Sequence, residues 1–179
     1  MNNENVEVYI SAEKIAARVK ELAAEITRDY KGENIMLLGT LKGAVIFLAD
    51  IAREIDLSIE VEFVKVSSYG ENSESSGEIN FDYLPQINFN GRHIILVEDI
   101  VDMGYTASWL RNYFQSKKPA SIKLCALLDK PERRKVPGVT IDYLGFTIPD
   151  EFVVGYGLDY AQRYRNLPYV GILKSEVNG

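Results

Sequence analysis

The apolar positions near the start of the chain recur at helical spacing. Four of them are separated by four, three and four residues: Ile15, Val19, Leu22 and Ile26. Such spacing places the apolar side chains on one face of an α-helix. Ser11 precedes the pattern as a candidate N-cap, because its hydroxyl can accept a hydrogen bond from a backbone N–H of the first turn. The pattern predicts an amphipathic helix that ends near Lys31-Gly32.

The next segments predict a strand, a helix and a second strand. Residues 35–38 are all apolar, which predicts a buried strand closed by Gly39. A helix is expected from about Gly43, because apolar residues recur on one face at helical spacing. These residues are Val45, Leu48, Ala52 and Ile55. Residues 58–66 alternate between a less polar and a more polar face, which predicts a strand.

The second half of the chain repeats this alternation of strands and helices. Residues 94–97 are apolar, as in a strand that is buried on both faces of a parallel sheet. A helix is expected over about 106–116, and further strands over 122–128 and 140–146. This order predicts a single α/β domain over residues 1–179, with a mostly parallel central sheet flanked by helices.

The composition excludes several classes of protein. The chain has 179 residues, with 20 Lys and Arg against 26 Asp and Glu, so its formal net charge is −6. This acidic balance argues against a broad nucleic-acid surface. No apolar run approaches the roughly 18–20 residues that span a membrane. The polar N-terminus does not resemble a signal peptide, and the single Cys125 excludes an intrachain disulfide, so we expect a cytoplasmic protein.

One long polar segment interrupts the regular pattern. Residues 67–80 contain five serines, two glycines and three glutamates, and almost no apolar side chain. A segment of this composition cannot bury itself in a core. In a compact domain, a loop of this length is typical of a functional lid or of an idle surface loop, and composition leaves both interpretations open.

The strongest chemical signal follows the third predicted strand. Two adjacent carboxylates, Glu98 and Asp99, are followed by Asp102 and by a turn at Gly104. The helix that starts near Thr106 offers unpaired N–H groups and the positive end of its dipole, which suits a phosphate. Carboxylates can accept hydrogen bonds from ribose hydroxyls or bind a magnesium ion. The residues predict a phosphosugar-binding loop with an acidic edge, and a solvated acidic turn with a helix cap is the alternative.

A resemblance to a known family rests on several segments in a fixed order. Residues 97–106, Val-Glu-Asp-Ile-Val-Asp-Met-Gly-Tyr-Thr, resemble the phosphoribosyl pyrophosphate (PRPP) motif of the type I phosphoribosyltransferases. Further segments match the hypoxanthine–guanine branch of this family: Leu41 to Ala44, Ser68-Tyr69, Leu128 to Pro131, Ile148 to Tyr160 and Tyr164 to Pro168. The resemblance implies the type I phosphoribosyltransferase fold with a small purine-binding hood. It places the hood in the N-terminal segment and about 130–175, and a mobile lid loop at about 67–81.

The resemblance also implies the reaction and its partners. Members of this branch transfer the phosphoribosyl group of PRPP to a 6-oxopurine and release pyrophosphate. For this chain the acceptor is expected to be hypoxanthine, guanine or both, giving IMP or GMP in purine salvage. The reaction depends on Mg²⁺, which neutralises the leaving pyrophosphate. The expected partners are these small molecules, in a homodimer or homotetramer, with neither nucleic acid nor a membrane.

Each matched segment implies a role for particular residues. Asp102 is expected to act as the catalytic base at N7 of the purine. The ribose and 5′-phosphate are assigned to Glu98, Asp99, Met103, Gly104, Tyr105 and Thr106. The pyrophosphate is assigned to Leu41, Lys42, Gly43, Ser68, Tyr69 and Arg165. The purine is assigned to Lys130, Phe152, Val153 and Asp159, and the metal to Glu98, Asp99 and Asp159.

The chain departs from the family pattern at two positions, and several alternatives stay open. Met103 stands where Thr or Ser is usual, which removes a hydroxyl donor from the phosphate loop, and Ala44 stands where glycine is common. On its own, Lys130 is typical of a solvated basic turn, and Phe152 of a core strand. A PRPP-sensing regulator, a phospho-receiver domain and a transferase specialised for xanthine or guanine are the alternative functions. In the family, the peptide before Lys42 can be cis.

Overall fold

The computed structural model describes residues 5–68 and 79–174. Its α-helices are α1 (Ala12–Asp29), α2 (Val45–Glu54) and α3 (Tyr105–Gln115). Its strands are β1 (Val6–Ile10), β2 (Ile35–Leu41), β3 (Ile59–Ser68), β4 (Ile79–Tyr83), β5 (His93–Val101), β6 (Ser121–Asp129), β7 (Tyr143–Thr147), β8 (Val153–Val154) and β9 (Val170–Leu173). None of the described helices combines the length and the apolar character that crossing a membrane requires.

The larger sheet has six strands in the order β4-β3-β2-β5-β6-β7. Neighbouring strands are parallel except for β4, which is antiparallel to β3. Successive residues of β2 alternate between two cores: Leu37 faces the core that contains α1 and α2, and Leu38 faces the core that contains α3. The sheet is therefore covered on both faces, which confirms the predicted α/β class with a mostly parallel sheet flanked by helices.

A second, smaller sheet joins the two ends of the chain. Its strand order is β1-β9-β8, and both pairings are antiparallel. Val6 pairs with Leu173, and Val153 pairs with Ile172. The sequence pattern did not predict β1 or β9, because an isolated segment of four or five residues carries little periodicity. Phe152 directly precedes β8 of this sheet.

The predicted first helix is confirmed in its position and its cap. The Lys14 amide donates to the Ser11 hydroxyl at 3.4 Å, and α1 ends two residues before the predicted Lys31. The apolar positions that predicted the helix are buried against the sheet. Helix α3 likewise begins and ends one residue before its predicted limits.

The predicted end of β2 is wrong, and one residue of the predicted buried face of α2 is exposed. Gly39 does not close β2, which continues to Leu41; the missing side chain at residue 39 leaves the space that the Leu48 side chain fills. Helix α2 is confirmed and begins at Val45, two residues after the approximate start predicted at Gly43, but the Val45 side chain is 39% exposed. The buried face of α2 is formed by Phe47, Leu48 and Ile51. Of the four residues that predicted the helix, Leu48 belongs to this face, Ile55 is buried in the same core directly after the helix, and Ala52 packs against that core.

Three other boundaries also differ from the sequence prediction. Strand β5 continues past residue 97 to Val101, so Glu98 and Asp99 belong to the strand rather than following it. Strand β7 starts at Tyr143, three residues later than predicted. The polar segment 67–80 begins and ends in strands, since Ser67 pairs with Asn80 across β3 and β4. Residues 69–78, which contain most of the predicted lid, lie outside the described residues.

Candidate active site

The candidate site lies where the carboxyl ends of β2, β5 and β6 meet. Residues 42–44 follow β2, residues 102–104 follow β5 and Lys130 follows β6. These strands are neighbours and run parallel, so the three connections leave the sheet at the same edge. Ligands of open α/β sheets bind beyond this edge.

The connection after β5 turns sharply into α3. Gly104 has φ +90°, a left-handed conformation that favours glycine. A Cβ at this position would also meet Arg134 Cδ at 2.8 Å. A cavity of about 150 Å³ opens beside the turn and the first residues of α3. It is lined by Glu98, Ile100, Val101, Asp102, Met103, Gly104, Tyr105, Thr106 and Ala107. Backbone N–H groups at the start of α3 make this cavity suitable for a phosphate.

Glu98 lines this cavity as a buried carboxyl group. Its Oε1 accepts a hydrogen bond of 2.9 Å from the Thr40 hydroxyl on β2. Burial and the negative charge of Asp99 raise the pKa of Glu98 to about 8, although the Thr40 hydrogen bond acts in the opposite direction. A hydroxyl-rich or cationic ligand would stabilise the ionised form of this group.

Asp99 packs against the connection after β2. Gly43 lies so close that a Cβ there would overlap the Asp99 carboxylate. Burial raises the pKa of Asp99 to about 6, opposed by its backbone hydrogen bonds and by the charge of Arg165. The adjacent carboxylates Glu98 and Asp99 therefore reach different neighbours, as consecutive residues of a strand do.

The connection after β2 also contacts the C-terminal segment. A Cβ at Gly157, which has φ +103°, would overlap the carbonyl oxygen of Gly43. Arg165 holds this segment in place, because its Nη1 donates to the Gly157 carbonyl at 2.6 Å and its Nη2 pairs with Asp159 at 2.7 Å. Asp99 and Asp159 are close enough that Asp159 acts to raise the pKa of Asp99. The structure therefore brings Gly43, Asp99, Asp159 and Arg165 together.

Lys42 begins the connection after β2, and the Leu41–Lys42 peptide is cis. The Lys42 ammonium donates to Oε1 of Gln162 at 3.4 Å. Of the other residues assigned to the pyrophosphate, Ser68 ends β3 and Tyr69 lies outside the described residues.

Asp102 belongs to a second group of charges in the site. Arg133 Nε donates to Oδ1 of Asp102 at 2.7 Å, and Arg133 Nη1 donates to both carboxylate oxygens of Asp150 at 3.1 and 3.3 Å. Lys130 Nζ lies 3.7 Å from Oδ1 of Asp150. Two carboxylates and two cations thus form one connected cluster. Lys130 is only 7% exposed, which contradicts the alternative of a solvated basic turn.

The aromatic residue assigned to the purine is available to a ligand. Phe152 is 53% exposed and meets Tyr160 edge to face, with ring centroids 5.6 Å apart. Its neighbour Val153 is buried in β8. An exposed aromatic ring near a cluster of hydrogen-bonding groups suits a flat heterocycle. The core-strand alternative holds for Val153 but not for Phe152.

Comparison with known proteins accounts for this arrangement. The family profile described as "Phosphoribosyl transferase domain" matches residues 6–161. The chain belongs to the phosphoribosyltransferase family. It is 48% identical over 177 residues to hypoxanthine-guanine phosphoribosyltransferases of Streptococcus pneumoniae and Bacillus subtilis, covering 99% of this chain and 98% of each relative. The crystal structure of a Staphylococcus aureus hypoxanthine phosphoribosyltransferase matches with a TM-score of 0.94 at 40% identity, over 100% of this chain and 99% of that one.

The family resemblance identified from the sequence is therefore confirmed, and with it the type I phosphoribosyltransferase fold. Several residues that contact the matched motifs were missed by sequence reasoning. They are Thr40, Arg133, Asp150, Gly157 and Tyr160. Asp150, Gly157 and Tyr160 lie within a matched segment of the phosphoribosyltransferase pattern, and Arg133 lies two residues after the matched segment Leu128 to Pro131. Thr40 had no signal of its own, because its partner is 58 residues away.

The carboxylates of this phosphoribosyltransferase fit a metal that is shared with a substrate. Within residues 5–68 and 79–174, no three His, Cys, Asp or Glu side chains are grouped so that they could enclose a metal ion. Mg²⁺ retains several waters and is commonly held by one or two carboxylates together with substrate phosphates. Asp99 and Asp159 provide such a partial set, since the charge of Asp159 acts on Asp99.

Proposed function

We propose that this chain is a purine salvage enzyme that transfers phosphoribosyl from PRPP to hypoxanthine, guanine or both. The products are IMP or GMP and pyrophosphate. The observation that carries the proposal is the position of the charged cluster of Asp102, Arg133, Asp150 and Lys130 beside the cavity at the start of α3, at the carboxyl ends of the parallel strands. The names of the full-length relatives support the same reaction.

PRPP is held by the acidic residues and the turn into α3. The 5′-phosphate occupies the cavity at Met103, Gly104, Tyr105 and Thr106, where the start of α3 supplies backbone N–H groups. Glu98 and Asp99 accept hydrogen bonds from the ribose hydroxyls. The pyrophosphate lies near Leu41, Lys42, Gly43 and Arg165, with Ser68 and Tyr69 also assigned to it. Lys42 and Arg165 balance its negative charge.

The purine lies between Phe152 and the cluster around Asp102. Lys130 donates to O6 of the purine; because an ammonium has no acceptor, it favours an oxo group over the amino group of adenine. The Val153 backbone contacts the edge of the purine ring, and Asp159 lies at the same end of the purine. As the bond between C1′ and pyrophosphate breaks, positive charge develops on the ribose. Purine N9 bonds to C1′, and Asp102 accepts the proton from N7.

Asp99 and Asp159 are the residues that would hold Mg²⁺, whereas Glu98, which was also assigned to the metal, does not group with them within the described residues. When bound, this ion neutralises the leaving pyrophosphate. We also propose that the protein is cytoplasmic, that it forms a homodimer or homotetramer, and that it forms one domain over residues 1–179. In this arrangement the sheet of β1, β9 and β8 with about residues 130–175 forms the purine hood.

A spectrophotometric assay tests the proposal directly. PRPP and Mg²⁺ are supplied with hypoxanthine, guanine, xanthine or adenine, and base consumption and pyrophosphate release are followed together. We expect nucleotide formation with hypoxanthine or guanine, and none with adenine. Turnover of xanthine alone would place the enzyme in the xanthine-specialised alternative. Absence of turnover with every base would reject the enzyme in favour of a PRPP-sensing regulator.

A further inference from the structure

Asp102 is held by two consecutive residues of the turn that follows Lys130. The Arg133 side chain donates to the Asp102 carboxylate at 2.7 Å, and the Arg134 side chain donates to the Asp102 backbone carbonyl at 3.1 Å. The backbone N–H groups of residues 135 and 136 donate to the Met103 carbonyl at 3.0 and 3.2 Å. The turn therefore fixes both the backbone and the side chain of this segment.

The two contacts of Arg133 have different geometries and different consequences. Its Nε uses Oδ1 of Asp102, and its Nη1 reaches both oxygens of Asp150. A carboxylate offers about four lone-pair sites on two oxygens, so Oδ2 of Asp102 keeps its capacity to accept a proton or a hydrogen bond. Asp150 lies two residues before Phe152. The Arg133 guanidinium therefore also connects Asp102 to the segment that carries the Phe152 ring.

We propose that Arg133 is a positioning residue for the purine-transfer step. By holding Oδ1 it fixes the rotation of the Asp102 carboxylate and directs Oδ2 to N7 of the purine. By holding Asp150 it fixes the distance between the Asp102 loop and the Phe152 segment, which contact different parts of the purine. This inference rests on the proposed function, because it assigns Asp102 the role of proton acceptor.

Arginine suits this role because of its shape. The planar guanidinium presents several N–H donors in a fixed fork, so it can bridge two carboxylates, whereas lysine offers a single charged point. Arg133 and Asp102 are both partly exposed, and ion pairs of this kind contribute little to folding. Removal of the Arg133 side chain should therefore affect the orientation of the Asp102 carboxylate more than the stability of the fold.

The first experiment compares Arg133→Ala with the unmodified enzyme in steady-state kinetics with hypoxanthine. We expect kcat to fall about threefold to tenfold, since misorientation of a catalytic group costs rate, and the KM for PRPP to stay unchanged. Arg133→Lys should recover part of the lost kcat, because it keeps the charge without the fork. Full recovery by lysine would overturn the role of the fork.

Arg28→Ala is the matched control for the loss of one arginine. Arg28 is exposed and forms an ion pair with the adjacent Asp29. This part of the chain lies near the amino ends of the strands, because the neighbouring Tyr30 contacts Ser121 at the start of β6. It lies at the opposite edge of the sheet from the candidate site. We expect its kinetics to match those of the unmodified enzyme, and an equal loss in both variants would overturn a local role for Arg133.

A double-mutant cycle shows whether Arg133 acts through Asp102. In an Asp102→Asn background, Arg133→Ala should change the residual kcat less than twofold, because the group that it positions no longer accepts the proton. The same fold loss in both backgrounds would overturn the inference. A lower KM for hypoxanthine with unchanged kcat in Arg133→Ala would also overturn it, because Arg133 would then obstruct the site. Absence of turnover by the unmodified enzyme would instead reject the proposed function.

Discussion

Gly43 lies against the carboxylate of Asp99, so closely that a Cβ at residue 43 would overlap the Oδ2 atom. The contact joins the connection after β2 to the acidic end of β5, two segments that are far apart in the sequence. Gly157 in turn lies against the carbonyl oxygen of Gly43. Two glycines thus bring the residues assigned to pyrophosphate and to ribose within contact of each other.

Alanine substitutions separate the two glycine contacts. Gly43→Ala displaces a side-chain carboxylate that can rotate, so we expect a folded protein whose kcat/KM for PRPP falls at least about tenfold. In Gly157→Ala the added methyl group would overlap a backbone carbonyl, and alanine would have to adopt a left-handed conformation. For this variant we expect the unfolding free energy to fall by about 1–3 kcal/mol. Steady-state kinetics measures the effect of Gly43→Ala, and urea unfolding measures the effect of Gly157→Ala. Unchanged PRPP kinetics in Gly43→Ala would contradict the proposed contact between Asp99 and the ribose.

Asp102→Asn tests the proton acceptor. The amide oxygen of the substituted side chain could still accept the hydrogen bond from Arg133, but an amide does not take a proton. We therefore expect kcat to fall by about 10²–10⁴ with PRPP binding retained. Asp56→Asn changes an exposed aspartate in the same way and should leave kcat unaltered. A normal kcat in Asp102→Asn would remove Asp102 from the catalytic role.

Lys130→Ala tests the recognition of the 6-oxo group. We expect the KM for hypoxanthine to rise at least about tenfold while the KM for PRPP stays nearly constant, because a charged hydrogen bond to the base is lost. Lys135→Ala removes an exposed lysine from the same turn and keeps its backbone hydrogen bond to Met103, so it should behave as the unmodified enzyme. Equal effects on both substrates would argue against a specific contact with the purine.

Met103→Thr tests whether the phosphate loop lacks a donor. Met103 is partly exposed and lines the cavity at the start of α3, so a hydroxyl at this position would be available to a bound phosphate. We expect the KM for PRPP to fall about fivefold to thirtyfold without a change in kcat, since the 5′-phosphate keeps its charge throughout the reaction. Met103→Leu, which adds no donor, is the matched control. A KM for PRPP that stays the same or rises in Met103→Thr would show that the backbone donors are sufficient.

The raised pKa of Glu98 predicts how the stability of the ligand-free enzyme depends on pH. Its pKa is about 8 in the folded protein and 4.5 as the ordinary value, so between these limits the folded state binds more protons than the unfolded state. The contribution of Glu98 to the unfolding free energy must therefore decrease as the pH rises from about 5 to 8. Urea unfolding in the presence of EDTA should show this decrease, and it should be smaller in Glu98→Gln. Glu54→Gln, at an exposed position on α2, should retain the full decrease.

The local pattern was sufficient for most of the helices and strands. The spacing of Ile15, Val19 and Leu22 predicted α1, and the Ser11 cap is confirmed, because both depend on residues within a few positions of each other. The glycine at residue 39 misled the prediction of where β2 ends. Its neighbour is Leu48 on the next helix, and that contact depends on how α2 packs on the sheet. Strands β1 and β9 pair across nearly the whole chain, and neither has a sufficient pattern alone.

The sequence by itself determined the α/β class, the phosphoribosyltransferase family and the segment that contains Glu98, Asp99 and Asp102. These follow from periodicity and from motifs whose residues are consecutive. The tertiary structure decided which of these groups meet: Glu98 with Thr40, Asp99 with Gly43, and Asp102 with Arg133. Charge, burial and hydrogen bonding act over a few ångströms in space. Only the folded chain brings such distant residues within that range, so the sequence could name candidate groups for the site but not their partners.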